Sequence, residues 1–385
     1  MIEQISLNFS IDFTYPVFFT EQIFHIDNVL LARTVLRDYK YVNCMVYIDH
    51  NVALHHPGLK ESIVRYFENT SNMNLLDQPQ VILGGEECKN TPELLQQLCN
   101  DFMVSGLDRH SCIIAIGGGA LLDLVGYASS TVHRGISIVR IPTTVLAQND
   151  AGIGVKTGVN FQGRKNFLGT FCPPLAVFCD FQFLKTLSER DKRAGIAEAI
   201  KVALIKDDSF FYWIESHTKQ LKEFEAEAIE YLVSRCADLH ADKIANGGDP
   251  FEKGNSRLLD YGHWCAHKLE TLSKYRIKHG ESVAMGMLVD ACYATEVGLL
   301  SDALYQRIGQ LLHKLGFTLY YSELDEISAT SQRLVLEGIS EFREHLGGEL
   351  NLTMLTGIGS TTEIHEMDME VLEMCLEKIR YADWS

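Results

Sequence analysis

Hydrophobic positions follow two different rhythms along this chain. In the first half, short apolar runs stand at 43–49 (NCMVYID), 80–85 (QVILGG) and 136–144 (ISIVRIPTT), and another opens the strand, glycine turn and helix of CIIAIGGGALLDLVGYAS at 112–129. They have the length and composition of buried strands. Amphipathic stretches lie between them. LKESIVRYFEN at 59–69 has helical spacing, and TPELLQQLCNDFMV at 91–104 opens with Thr, Pro and Glu and puts Leu94, Leu95, Leu98 and Phe102 on one face. Alternating strand and helix predicts an α/β domain built on a parallel sheet with helices on its faces. From about residue 188 helical periodicity takes over, in AGIAEAIKVALIKD, AIEYLVSRCADLHADKIAN, LLDYGHWCAHKLETL and SVAMGMLVDACYATEVGLL. ELNLTMLT at 349–356 is the clearest strand pattern there. The reading is therefore two domains, 1–187 and 188–385, with the second mostly α-helical. Without a low-complexity linker, the two are expected to pack tightly around a cleft.

Composition narrows the function classes. The 385 residues are 46% hydrophobic and 22% charged, so the chain has ample material for a core and is not a disordered polymer. The formal net charge of −17 opposes sequence-independent binding to a phosphate backbone, so no nucleic-acid partner is expected. A small anion could still bind, but only in a local basic pocket. No apolar run reaches the roughly 20 residues of a membrane helix. The opening MIEQISLNFSIDF lacks a basic segment followed by an apolar one. The expectation is a cytoplasmic protein with no membrane association. Ten cysteines are scattered with no CxxC pair, which suits buried reduced thiols better than a disulfide framework.

Four groups of residues could carry chemistry. Gly117, Gly118 and Gly119 fall between a strand and a helix, where bare backbone either cradles a pyrophosphate or simply makes a tight turn. Asp150 to Lys156, then Gly163 to Asn166, read as a Gly-rich loop holding Lys156, Lys165 and Asn166, donors suited to phosphate; the alternative is a solvated surface loop. Glu198 and Lys201 share a helix face, for which a surface ion pair is the default. His263, His267 and His279 fall within 17 residues, and two His at i, i+4 with a third His and a Glu can build a zinc site with an open position.

Taken in order, GGGALLD, RIPTTVLAQND, KTGVN, GRKN, AEAIK, GHWCAH and KHGE resemble the 3-dehydroquinate synthase family and its relatives, the sugar phosphate cyclases. The motifs span roughly residues 45–285, and the ordered set is highly specific. The resemblance implies a Rossmann-like NAD-binding domain followed by a helical metal domain, with the active site in the cleft. It implies Glu198, His263 and His279 as ligands of Zn²⁺, or of Co²⁺. Asp49, Glu86, Lys89, Gly118, Gly119, Asp123, Thr143 and Thr144 match NAD-contacting positions. Asp150, Lys156, Lys165, Asn166, Lys201 and His267 match the substrate pocket, with Lys156 and Lys165 also placed near the cofactor. Arg134 matches an arginine that reaches the neighbouring subunit's phosphate site, which implies a homodimer. The family oxidises a sugar phosphate hydroxyl with bound NAD⁺, eliminates phosphate, returns the hydride, opens the ring and closes a carbocycle by an intramolecular aldol step. NAD is regenerated in each turnover.

One segment departs from the synthase pattern R-x-L-L-N-x-G-H. Here Ser256 stands where the family has a carboxylate-binding Arg, and Asp260 where it has Asn. Loss of a bidentate Arg and gain of a negative charge disfavour a keto acid substrate. A neutral hydroxymethyl ketone suits the change better. The expected substrate is the seven-carbon sugar sedoheptulose 7-phosphate, and the expected product an epi-valiolone. Arg257, one residue along, could restore the synthase Arg by a register shift, which keeps 3-dehydroquinate synthesis as the alternative. His267 retains a synthase feature. Arg343 or His345 could replace a phosphate-binding Lys near the C-terminus. Two further readings are a metal-dependent alcohol dehydrogenase, which would release NADH, and a binding protein on a decayed scaffold, against which the retained metal-ligand candidates argue.

Overall fold

The computed structural model describes residues 4–251, 258–328, 331–345 and 348–384. Ser256 and Arg257 lie outside them. Residue contacts divide the chain into two compact units. The first holds residues 1–116, 120–141 and 155–179; the second holds 117–119, 142–154 and 180–385.

In the first unit the apolar runs form the expected sheet. Its strands are β1 (Val17–Thr20), β2 (Val42–Asp49), β3 (Met73–Leu75), β4 (Gln80–Ile82), β5 (Cys112–Gly117) and β6 (Ser137–Pro142). A hairpin follows, β7 (Lys156–Phe161) and β8 (Arg164–Phe171), and then β9 (Ala176–Asp180) returns to the sheet. The order is β1-β9-β6-β5-β2-β3, with β4 beside β2. β2 runs parallel to β3, β4 and β5, and β6 parallel to β9. The central strands are buried on both faces, which is why they read as continuous apolar runs rather than alternating ones. Chain order reverses between β2 and β5, so the carboxyl ends of these two strands, Asp49 and Gly117, flank the switch point where open α/β sheets bind ligands. Helices α1 (Leu59–Glu68), α2 (Pro92–Val104) and α3 (Gly119–Thr131) connect the strands.

The second unit is built on α4 (Glu189–Lys206), α5 (Ala226–Asn246), α6 (His263–Leu272), α7 (His279–Glu296), α8 (Asp302–Lys314) and α9 (Met369–Arg380). A two-stranded ribbon, β10 (Leu352–Gly357) and β11 (Ser360–Ile364), pairs antiparallel beside them. Ser188 caps α4 by accepting from Asp191 N, and Glu189 and Asp191 in the first turn oppose the helix dipole. α7 is buried along almost its whole length, and its apolar run shows little helical asymmetry for that reason. Among the described residues no helix is long and apolar enough to cross a membrane. All ten cysteines are unpaired, eight of them buried.

Two sequence readings need correction. Lys156 to Asn166 is not a loop: it spans the hairpin β7–β8, because Val159, Phe161, Phe167 and Phe171 favour strand and the turn takes Gln162 and Gly163 at positive φ. Glu198 and Lys201 are not a surface pair: they are 1% and 2% exposed, on a helix buried on most faces.

Candidate metal centre

Three helices each bring one donor to a common point. Glu198 comes from the middle of α4, His263 from the first residue of α6 and His279 from the first residue of α7. One ligand atom from each lies within 4.8 Å of the others. Close backbone approach makes this possible. A Cβ on Gly280 would stand 1.8 Å from Ala194 O, so α7 can begin against α4 only with glycine there. Gly262, at φ 78°, starts α6 in the left-handed region, and a Cβ on it would lie 2.7 Å from Met287 N of α7. Gly262 N donates to Asp290 Oδ2 at 2.8 Å, and Trp264 Nε1 donates to Asp290 Oδ1 at 2.7 Å. The buried Asp290 carboxylate thus holds the Gly262 backbone and the Trp264 side chain, the residues on either side of His263. Burial pushes its pKa up to about 7 despite both donors. At the start of α7, Lys278 N donates to Glu281 Oε2 at 2.9 Å, and Arg190 grips the same carboxylate with two contacts of 2.6 Å.

The histidines are oriented as ligands. His263 Nδ1 lies 3.0 Å from Tyr261 O, and His279 Nδ1 lies 3.2 Å from Glu270 Oε2. Both partners can only accept, so Nδ1 is the donor in each contact and Nε2 is the nitrogen left for a metal. Burial, followed by Lys201, His267 and His279, holds the His263 pKa well below the usual imidazole range, so the ring is neutral. Glu198 gives one oxygen to Lys201, while its Oε2 is buried with no hydrogen-bond partner. An orphaned carboxylate oxygen grouped with two histidines, one of them held neutral, fits a divalent cation, whose usual donors are carboxylate and imidazole. His267, Glu270 and His279 form a second close trio, but its Glu270 is engaged in orienting His279.

Lys201, Asp150 and His267 lie near these donors. Burial lowers the Lys201 pKa, but Glu198, Asp150 and Asp260 outweigh it and raise the net value, so the amine stays charged. Asp150 sits on a π-helical turn, Ala147–Ala151, which Asn149 ties to α4 by donating to Gly195 O at 2.9 Å. His267 is exposed one turn along α6, its ring 5.4 Å from that of His263. Asp260 ends a short 3₁₀ turn, Leu258–Asp260. Thr143 N donates to Gly117 O at 3.0 Å, beside Gly118 and Gly119, and Thr144 Oγ1 accepts from Ala147 N at 3.0 Å.

The first unit holds a separate polar cluster. Lys89, 4% exposed, contacts Asp123 Oδ2 at 2.7 Å and also the Asn166 side chain. Asn160 donates to Glu86 Oε1 at 2.9 Å and to Asn90 Oδ1 at 3.1 Å, and accepts from Asn166 N at 2.8 Å. This holds Asn166 at φ 53°. Asp49 is buried and caps the short helix after β2 by accepting from Asn51 N at 2.8 Å. Lys156 is exposed on β7 and Lys165 half-buried on β8. Arg134 is exposed, and both it and His133 adopt positive φ. Arg343 is exposed on the helix Glu337–His345. Asn160 and Asp290 escaped the sequence reading. Asn160 closes the motif KTGVN but was given no role, and Asp290 sits in no marked motif, although a polar residue inside an otherwise apolar run is a signal of a buried partner.

Comparison with known proteins agrees with this architecture. Residues 80–194 match the model of the 3-dehydroquinate synthase N-terminal domain, and residues 195–334 that of its C-terminal domain. The 3-dehydroquinate synthase of Campylobacter concisus is 37% identical over 295 residues, 76% of this chain and 81% of that protein. Among solved structures, a 2-epi-5-epi-valiolone synthase from Streptomyces hygroscopicus subsp. jinggangensis 5008, with NAD⁺ and Zn²⁺ bound, is 27% identical with a TM-score of 0.85, covering 98% of this chain and 100% of that one. A 2-deoxy-scyllo-inosose synthase, complexed with carbaglucose-6-phosphate, NAD⁺ and Co²⁺, shares the fold at a TM-score of 0.74 and 24% identity, over 94% of this chain and 96% of that one. The chain belongs to the 3-dehydroquinate synthase family of sugar phosphate cyclases, a family of enzymes.

Proposed function

We propose that this chain is a phosphate-eliminating sugar phosphate cyclase that converts sedoheptulose 7-phosphate to an epi-valiolone, with NAD and Zn²⁺, or Co²⁺, as cofactors. The observation that carries the substrate choice is the acidic side chain of Asp260 where the family pattern has Asn, at the end of the turn just before His263. A carboxylate here repels a keto acid and can accept from a hydroxyl of a neutral ketose. The valiolone synthase fold match over nearly the whole chain supports the same choice.

Glu198, His263 and His279 would hold the metal. NAD would rest on Asp49, Glu86, Lys89, Gly118, Gly119, Asp123, Thr143 and Thr144. When bound, NAD⁺ supplies a reversible hydride acceptor and the metal a Lewis acid for the sugar hydroxyls. The chain's own residues supply the rest. Lys156, Lys165 and Asn166 offer cations and an amide to the phosphate and stabilise charge as it leaves. Lys201, kept protonated by its acidic neighbours, offsets negative charge developing on a substrate oxygen. Asp150, Asp260 and His267 orient hydroxyl groups. Arg134 would complete the phosphate site of a partner in a homodimer.

A second reading, 3-dehydroquinate synthesis, is favoured by the curated relatives' names. Phosphate release decides between them. The purified protein with NAD⁺ and Zn²⁺ is given sedoheptulose 7-phosphate or the seven-carbon keto acid phosphate of the shikimate route. Release from the first alone supports the proposal, and release from the second alone overturns it. Accumulating NADH would instead indicate an alcohol dehydrogenase. Ser256→Arg combined with Asp260→Asn should shift preference toward the keto acid.

A further inference from the structure

One buried titratable side chain beside this centre belongs to none of the expected sets. α5 is anchored in the core by Leu232, Val233, Cys236 and Ala237, and one turn further on it presents His240, which is 8% exposed. His240 Nδ1 lies 2.9 Å from Asp150 Oδ1, within ion-pair distance but off the hydrogen-bond axis. Its other nitrogen faces Gly154, where even a Cβ would stand 3.9 Å away. Backbone without side chains therefore borders the ring edge.

Asp150 is the middle of a chain of charges. Burial would raise its pKa, but His240 first, then Lys201 and His279, together hold it below the usual carboxylate range. Lys201 in turn binds Glu198, and His279 is a candidate ligand. The π-helical turn carrying Asp150 is fixed to α4 through Asn149, so the backbone is set from one side. His240 is the group that sets the side chain from the other.

We propose that His240 is a positioning residue: it fixes the Asp150 carboxylate so that its other oxygen accepts from a hydroxyl of the sugar phosphate beside the candidate metal ligands. This rests on the cyclase reading for its substrate, but the pairing itself does not. The carboxylate has two acceptor oxygens, and pinning one aims the other. Groups that orient a binding residue from behind typically change affinity or activity by about 10–100-fold when removed.

The test has two arms. In ¹⁵N-histidine NMR of the holoenzyme, Asp150→Asn should move the His240 Nδ1 resonance; an unmoved resonance overturns the pairing whatever the substrate. In turnover, His240→Ala should raise KM for sedoheptulose 7-phosphate, or for the keto acid phosphate if that is the substrate used, by about 10–100-fold with kcat changed less. Zinc and NAD content should stay at the wild-type level. His240→Asn, which keeps an N–H where Nδ1 stood, should recover part of the loss. Unchanged kcat/KM in His240→Ala, or a loss that tracks zinc content, overturns the positioning role. A wild-type protein that turns over neither compound refutes the cyclase reading instead, and the NMR arm still decides the pairing.

Discussion

The two polar clusters of this molecule are built on opposite plans. In the first unit, Lys89, Asp123, Asn160, Asn166 and Glu86 satisfy one another. In the second, three donors converge and one of them keeps a buried oxygen without a hydrogen-bond partner. The Nδ1 atoms of His263 and His279 have acceptors, while Glu198 Oε2 is buried without a partner in the same close trio. A self-satisfied cluster stabilises its own fold and offers its surface to a ligand. A cluster with an orphaned buried oxygen is incomplete without a guest. Each plan makes its own prediction.

The largest effect should come from the convergent donors. Glu198→Ala, His263→Ala and His279→Ala should each abolish retention of zinc, read by metal analysis of the purified protein, and phosphate release with it. Wild-type zinc content in any of the three would show that the orphaned oxygen is not waiting for a metal.

Next in size is the support behind His263. The Asp290 pKa is pushed up to about 7, against about 4 in an unfolded chain. Between those values the folded protein keeps a proton that the unfolded chain releases. Stability is therefore full below the unfolded pKa and is lost as pH rises through about 7, by linkage up to about 4 kcal/mol. Asp290→Asn removes the titration but also one of the two acceptors for Gly262 and Trp264. The variant should be less stable than wild type at pH 5, and the gap should narrow or reverse by pH 8. A gap independent of pH in urea titrations would mean that Asp290 does not titrate in this window.

How much of this was legible in the sequence follows from the same contrast. The sheet strands announced themselves because burial on both faces leaves an unbroken apolar run, as in 112–117. The candidate metal ligands were visible because His263 and His267 share a helix turn and because the ordered motifs resemble a known family. The hairpin β7–β8 was not legible: its glycines and lysines read as a loop, and only pairing across the turn makes them strands. The burial of Glu198 and Lys201 was not legible either. Spacing says that two residues share a face, not which element covers it. That cover is supplied by α7, and its closeness depends on Gly280, whose significance appears only when Ala194 O is seen 1.8 Å from the missing Cβ.

Those glycines give the third prediction. Gly262→Ala must adopt a left-handed φ and push against Met287 N, and should cost about 1–3 kcal/mol. Since Gly262 precedes His263, zinc affinity should fall together with Tm. A variant that loses stability but binds zinc as tightly as wild type would separate helix packing from ligand placement and break the claim that one sets the other.

The smallest effect belongs to the self-satisfied cluster. Asn160→Ala removes the acceptor of Asn166 N and the donor to Glu86 and Asn90, leaving polar groups that are mostly reachable by water. A net loss of about 1 kcal/mol is expected, near the value of an ordinary hydrogen bond, because water can replace part of what is removed. Its functional trace should differ from that of the metal variants. Zinc content should be unchanged, while KM for the phosphorylated substrate rises because Asn166 is no longer held at positive φ on the hairpin. If Asn160→Ala instead lost zinc, the two clusters would be energetically coupled, and treating them as separate plans would be wrong.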